Sequence, residues 1–272
     1  MKVKSKAECQ HSPLTRQRSG WDLVYQRDLD KIQKVKNFSF KGSSAMNFKQ
    51  TNLNLILGVV LTTLVSSPVL GTTIASSNKQ VPAVQALKML ESGNVRFASQ
   101  RRLYPNQDIA RRVAVSKGQF PFAVVVACSD SRVSPELIFD QGLGDLFVIR
   151  TAGNLVEKIE LGSVEYAVEH LNAALVIVVG HENCGAVAGA LSGKEFPGDI
   201  DYVIDKVKSN LGSDNPGNDF PSIMDAVNTN AKAVVQQIKA SPALSGKVKS
   251  GELKVVPAYY ELKSGKIRLL AE

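Results

Sequence analysis

Phe122-Ala123-Val124-Val125-Val126-Ala127-Cys128-Ser129-Asp130-Ser131-Arg132-Val133 decides how this chain is read. An unbroken apolar run of this length, rich in β-branched residues, predicts a strand buried on both faces, here residues 121–127. It ends in a cysteine, with a carboxylate and a guanidinium close behind. A second stretch repeats the arrangement: Leu175-Val176-Ile177-Val178-Val179 leads into Gly180-His181-Glu182-Asn183-Cys184-Gly185-Ala186. Two buried strands ending in polar groups bring those groups to one edge of a parallel sheet. Thiolate, thiolate, imidazole and carboxylate together form a donor set suited to zinc. Each half alone is weak, because a cysteine at a strand end is commonly an inert small hydrophobe. Their occurrence at two strand ends, each followed by a helical segment, favours a metal site.

Strand and helix patterns alternate around these stretches. Ala83, Leu87, Leu90 and Phe97 lie at helical spacing over 83–100, with Gly93 expected to break or loosen the helix. A polar, basic connector containing Arg101, Arg102, Arg111 and Arg112 follows. Ser134-Pro135-Glu136 supplies a cap, a first-turn proline and an acid for a short helix through Phe139. Leu146–Arg150 reads as a strand, and Val164, Ala167, Val168 and Leu171 mark one helix face. A helix can begin at Gly185, residues 212–221 form a loop, and Ile223, Val227, Val234 and Ile238 define a later helix. Leu253–Tyr260 and Ile267–Leu270, joined around Ser264-Gly265, predict a final strand and hairpin. The fold class is therefore α/β: a mostly parallel central sheet flanked by helices, with an N-terminal helical arm.

The first third has another character. The formal charge of the 272-residue chain is +8. Residues 1–45 hold a net +6 and Lys49 adds one more, so the remainder is close to neutral. A basic surface for nucleic acid is thus absent from the part that folds. Met46-Asn47-Phe48-Lys49-Gln50, the apolar run Leu53–Leu70 and the small residues after it describe a secretory signal over 46–75. Retained, the same run is near the lower limit for a membrane anchor. Residues 1–45 read as a disordered basic extension, or as a mis-assigned start with Met46 as the true one. The expected location is the periplasm or an equivalent extracytoplasmic space, with a catalytic domain over 76–272. Cys9 lies in this leader, and three cysteines cannot build a disulfide framework.

The chain resembles the β-class carbonic anhydrases. Their paired signatures, C-S-D-S-R and H-x-x-C-G, stand intact as Cys128–Arg132 and His181–Gly185. Further likeness runs through Gly142–Arg150, Ala152-Gly153-Asn154 and Gly162–Val168. The resemblance implies one zinc ion per subunit on Cys128, His181 and Cys184. Its fourth position would take water in an active form or Asp130 in a closed one. It implies reversible hydration of carbon dioxide to bicarbonate and a proton by zinc-bound hydroxide, with Asp130 and Arg132 as a catalytic dyad. Gln119, Phe147, Tyr166 and Gly185 are the implied substrate-binding residues, Gly153 and Gly185 allowing close backbone approach. His170 is expected to have a structural or surface role rather than to be a proton shuttle. A homodimer or larger homo-oligomer is implied, with the helix at 83–100 embracing a partner. Rival readings are a carbon disulfide or carbonyl sulfide hydrolase on the same fold, a non-catalytic zinc- or bicarbonate-binding homologue, and a redox protein pairing Cys128 with Cys184.

Overall fold

Five strands form one sheet in the order β2-β1-β3-β4-β5. They are β1 (Ala123–Cys128), β2 (Leu146–Thr151), β3 (Leu175–His181), β4 (Lys254–Tyr260) and β5 (Ile267–Leu269). The first four run parallel, and β5 closes an antiparallel hairpin on β4. The computed structural model describes residues 80–213, 216 and 219–271. The expected extension, signal segment and Cys9 lie outside them. Among the described residues no helix is long and apolar enough to cross a membrane.

Every residue of β1 and β3 is buried, because helices cover both sheet faces. Successive side chains point to opposite sides. Val124, Val126, Val176, Val178 and Val255 therefore pack on one face with α4 (Lys158–His170) and α7 (Ile223–Lys239). Val125, Ala127, Ile177, Val179 and Val256 pack on the other with α1 (Ala83–Ala98) and α3 (Pro135–Ile138). A third cluster joins Cys128 and Cys184 to α5 (Gly185–Leu191), α6 (Asp199–Leu211) and α7. From β1 the chain steps outward to β2, then crosses back to place β3 on the opposite side of β1. This reversal puts a topological switch point at the carboxyl ends of β1 and β3, where such sheets hold ligands.

Three local expectations need correction. The helix at 83–98 runs unbroken through Gly93. Glycine is required there because an added Cβ would stand 1.7 Å from the Phe139 carbonyl oxygen. The adjacent Asn94 binds this helix to the rest of the fold: its Nδ2 donates to Ile138 O and Gly265 O, and its Oδ1 accepts from Ile267 N. The basic connector contains α2 (Ile109–Val115), capped by Asp108, whose side chain accepts from Arg111 N at 2.7 Å. Finally, α6 and α8 (Ser245–Ser250) fill segments where no helix was expected. The remaining elements agree with the sequence patterns to within a few residues.

Candidate metal centre

Cys128 ends β1, His181 ends β3, and Cys184 follows a tight turn in which Asn183 takes the left-handed conformation, φ 53°. The ladder between β1 and β3 stops at Ala127 and Val179. Beyond it the two chain ends are free to converge their side chains. One ligating atom from each of Cys128, His181 and Cys184 lies within 4.8 Å of the others, and all three residues are buried.

The histidine is prepared for a cation. Nδ1 lies 2.9 Å from Glu182 O, and a carbonyl can only accept, so Nδ1 carries the proton. Nε2 is then a bare lone pair. It is fully buried and meets no hydrogen-bond partner in the protein. A buried acceptor left so costs free energy unless something electrophilic meets it. The sulfurs agree. Cys184 donates to Cys128, and this, with the backbone N–H groups of Asp130 and Gly153, holds the Cys128 thiol below its ordinary range against the opposing effect of burial. Cys184, as the donor, is pushed up. The pair thus holds one proton between two sulfurs, which a dication binding both as thiolates would displace. Both cysteines are free, so the disulfide expected of a redox protein is not formed. Three soft and borderline donors with no further protein ligand suit catalytic zinc.

Asp130 borders this cluster without joining it. Its Oδ1 accepts from Arg132 N and Nε, both at 2.9 Å, and its Oδ2 accepts from Arg132 Nη2 at 2.7 Å. The same Oδ2 lies 3.9 Å from His181 Nε2. The bidentate guanidinium holds the Asp130 carboxyl well below the usual carboxylate range. The carboxylate is therefore ionised, turned toward the three residues and kept out of their cluster.

Sequence reasoning assigned no role to Arg150. It reaches across from the edge strand β2, donating from Nε to Cys128 O at 3.0 Å and from Nη2 to Asp130 O at 2.7 Å. It thereby fixes the backbone that carries both a ligand and the dyad. Gly153 meets its expectation: its φ is 70°, and a Cβ would press on Ala186 and Val207 at 3.2 and 3.3 Å. Gly185 differs, since an added Cβ would meet nothing within 4 Å. Its lack of a side chain leaves open space beside the ligands instead.

The expected substrate residues Gln119, Phe147 and Tyr166 are not brought to the ligands of the same chain. Phe147 pairs with Val124 while Thr151 pairs with Cys128, so it lies four residues back along the sheet, about 13 Å at 3.3 Å per residue. Tyr166 is beside it, with ring centroids 6.3 Å apart, and stacks in turn on His170 at 5.3 Å. Gln119 is exposed, ahead of the amino end of β1. His170 closes α4 at that same end of the sheet, exposed, with its ring against Tyr166, in keeping with a structural or surface role.

The fold is a doubly wound α/β one, and its three-residue cluster could hold a metal ion. The carbonic anhydrase family pattern matches residues 123–267. A carbonic anhydrase of Mycolicibacterium smegmatis is 39% identical over 191 residues, covering 68% of this chain and 92% of that one. The solved β-carbonic anhydrase CcaA is similar with a TM-score of 0.56 at 28% identity, over 68% of this chain and 95% of that one. One of two β-carbonic anhydrases from Sordaria macrospora, described as tetrameric, gives a TM-score of 0.55 at 25% identity, over 59% and 86%. The chain belongs to the β-carbonic anhydrase family.

Proposed function

We propose that this chain is a zinc-dependent carbonate dehydratase, converting carbon dioxide and water to bicarbonate and a proton, reversibly. The observation that carries the reading is the bare, buried Nε2 of His181 aimed into two cysteine sulfurs beside an arginine-held carboxylate. Cys128, His181 and Cys184 would hold the zinc ion, whose contribution when bound is a Lewis acid that brings the pKa of water toward about 7.

The protein's own part follows from Asp130. Its Oδ2 is the oxygen nearest the ligands, and Arg132 keeps it charged. It accepts a hydrogen bond from the attacking water, which turns a lone pair toward the carbon of the substrate. Arg132 also prevents Asp130 from becoming a fourth ligand, which preserves one open position. Carbon dioxide offers almost no hydrogen-bonding handle, so unobstructed space matters more than polar contacts, and the room at Gly185 supplies it. The released proton passes to buffer.

The assembly is a homo-oligomer. Val84 and Val95 on α1, with Leu103, Ile109 and Val113, expose apolar surface suited to a second copy. In such an assembly Gln119, Phe147 and Tyr166 would serve substrate binding from a neighbouring copy. Export rests on the leader sequence alone, and terminal peptide mass spectrometry of the native protein tests it.

Stopped-flow carbon dioxide hydration on the full chain, with zinc measured in the same sample, tests the function. One zinc per subunit and rapid hydration are expected. Asp130→Ala and Arg132→Ala should keep most of the zinc and lose most of the activity. Near-normal turnover in either metal-loaded variant would refute the dyad. Turnover of carbon disulfide or carbonyl sulfide without carbon dioxide hydration would favour the hydrolase instead, and zinc binding without turnover of any of them the non-catalytic homologue.

A further inference from the structure

Behind Cys128 lies a buried polar chain that the reaction does not use. Gly153 N–H donates to Cys128 Sγ at 3.4 Å. The carbonyl of Gly153 accepts from Asn230 Nδ2 at 2.8 Å, across 77 residues of sequence. Asn230 Oδ1 accepts in turn from Asn210 Nδ2 on α6, also at 2.8 Å. The Gly153 carbonyl can only accept, so the orientation of the Asn230 amide is fixed by its partners. All three bonds therefore run the same way, each donor pointing toward the sulfur; the two that share the Asn230 amide polarise one another, while the saturated Cα of Gly153 makes its link to the third one of position.

Asn230 is fully buried on a helix face otherwise made of Ala226, Val227, Ala231 and Val234. An apolar side chain would suit that face better, since burying an amide gains little even when it is satisfied. Its placement is explained by what it holds. The 152–154 turn has Gly153 in the left-handed region, and the anchor on its carbonyl restrains the Gly153 backbone and with it the turn that presents the N–H of the preceding peptide to the sulfur.

We propose that Asn230 is a positioning residue for the Cys128 sulfur: by holding the Gly153 carbonyl it fixes the turn whose Gly153 N–H aims the sulfur and draws off part of its charge. The inference rests on the zinc reading above. Groups one shell out from a metal typically alter affinity by about 10–100-fold when removed.

The test compares the full-length chain with Asn230→Leu, Asn230→Asp and Asn210→Ala. Zinc affinity is read by chelator competition, and the cobalt(II)-substituted proteins are read by their thiolate-to-cobalt absorption band. Asn230→Leu should weaken zinc by about 10–100-fold and move the band to longer wavelength, because the sulfur loses an N–H donor. Asn230→Asp keeps the size and loses the donor to the Gly153 carbonyl only when ionised, so it should resemble the parent while its buried carboxyl is protonated and the leucine variant once it ionises. Asn210→Ala should shift both readouts in the same direction by less, and it carries the test if the Asn230 variants do not fold. Lowered melting temperatures with zinc affinity and the cobalt band unchanged would overturn the proposal, because a purely structural asparagine gives that pattern. Failure of the parent chain to bind zinc would overturn the functional reading itself, a result distinct from parent and variants binding alike.

Discussion

Gly180, the residue before the ligand His181, offers a quantitative check on how β3 seats against α7. A Cβ added there would stand 2.7 Å from Val227 Cγ1, 3.3 Å from Val227 O and 3.5 Å from Ala231 Cβ. On backbone grounds alone, Gly180→Ala would stabilise a strand by about 0.5–1 kcal/mol. Overpacking opposes it at about 1–3 kcal/mol. Overpacking should prevail, because Val227 is 1% exposed and a valine in a helix has one strongly preferred rotamer, so its methyl cannot swing aside. The net expectation is a loss of about 1–2 kcal/mol. Val227→Ala alone removes two buried methyl groups, about 1.6 kcal/mol by transfer, and rather more with the cavity left behind. In the double variant the new methyl enters the space the old one vacated. The two changes should then fall short of additivity by at least about 1 kcal/mol. Urea unfolding at fixed protein and zinc concentration measures this, those concentrations being held because ligand and subunit association raise apparent stability. Additivity to within about 0.5 kcal/mol, or a Gly180→Ala chain more stable than its parent, would refute the packing argument.

Gly162, inside α4, supplies the opposite case: nothing lies within 4 Å of its missing Cβ, so Gly162→Ala should raise stability by about 0.5–1 kcal/mol in the same unfolding assay. Arg150→Met removes the donors to Cys128 O and Asp130 O while keeping an aliphatic stem; kcat/KM for hydration should fall by about 10-fold or more, the equivalent of one 1.4 kcal/mol interaction, with zinc still bound by metal analysis. The Asp130 carboxyl is held below its ordinary value chiefly by Arg132, so the stability this pair adds is complete above the unfolded carboxylate pKa, about 3.9, and is lost as pH falls further. The gap in melting temperature between the parent and Arg132→Met should accordingly be constant above about pH 5 and close below it; a gap that closes between pH 6 and 8 would assign the pair's titration to another group.

What the sequence made legible, and what it did not, divides by the range of the interaction. The strands β1, β3 and β4 declared themselves because burial on both faces leaves no polar alternation to confuse, and α7 because Val227, Val234 and Ile238 repeat at the period of its single buried face. Helix α2 was hidden for the converse reason: none of its residues is buried, so its apolar positions carry no periodic message. Helix α6 did carry one, with Ile204, Val207 and Leu211 inward, diluted by the aspartates, lysines and polar residues between them. Gly93 looked like a helix breaker because sequence shows its missing side chain and not the Phe139 carbonyl that demands the absence. At the site, the clustered Cys128, His181 and Cys184 and the Asp130–Arg132 pair lie in two short motifs, so sequence alone could bring them together. Arg150 and Asn230 could not, since both bind backbone carbonyls that only the sheet register and the packing of α7 bring near. Phe147 and Tyr166 were named by resemblance, and the register shows that their own chain cannot present them to its ligands.

These supports converge on one residue for a reason rooted in coordination. A site with three protein ligands and an open fourth position lacks the bond that would complete and rigidify a closed structural centre. Its geometry has to be held from outside the first layer of ligands. Of the three residues that would hold the ion, Cys128 is most in need of this, because it is the last residue of its strand and leads directly into the turn carrying Asp130. Its carbonyl is held by Arg150 from β2, and its sulfur by Gly153, which Asn230 anchors from α7. His181 is held through its other nitrogen by the Glu182 carbonyl, and Glu182 is tied to the β4–β5 hairpin through Tyr260 O and Leu262 N. Each of the two strands is thus braced by a different neighbouring element, and the Asp130–Arg132 pair stands at the edge of the cluster between them, with Asp130 Oδ2 3.9 Å from His181 Nε2.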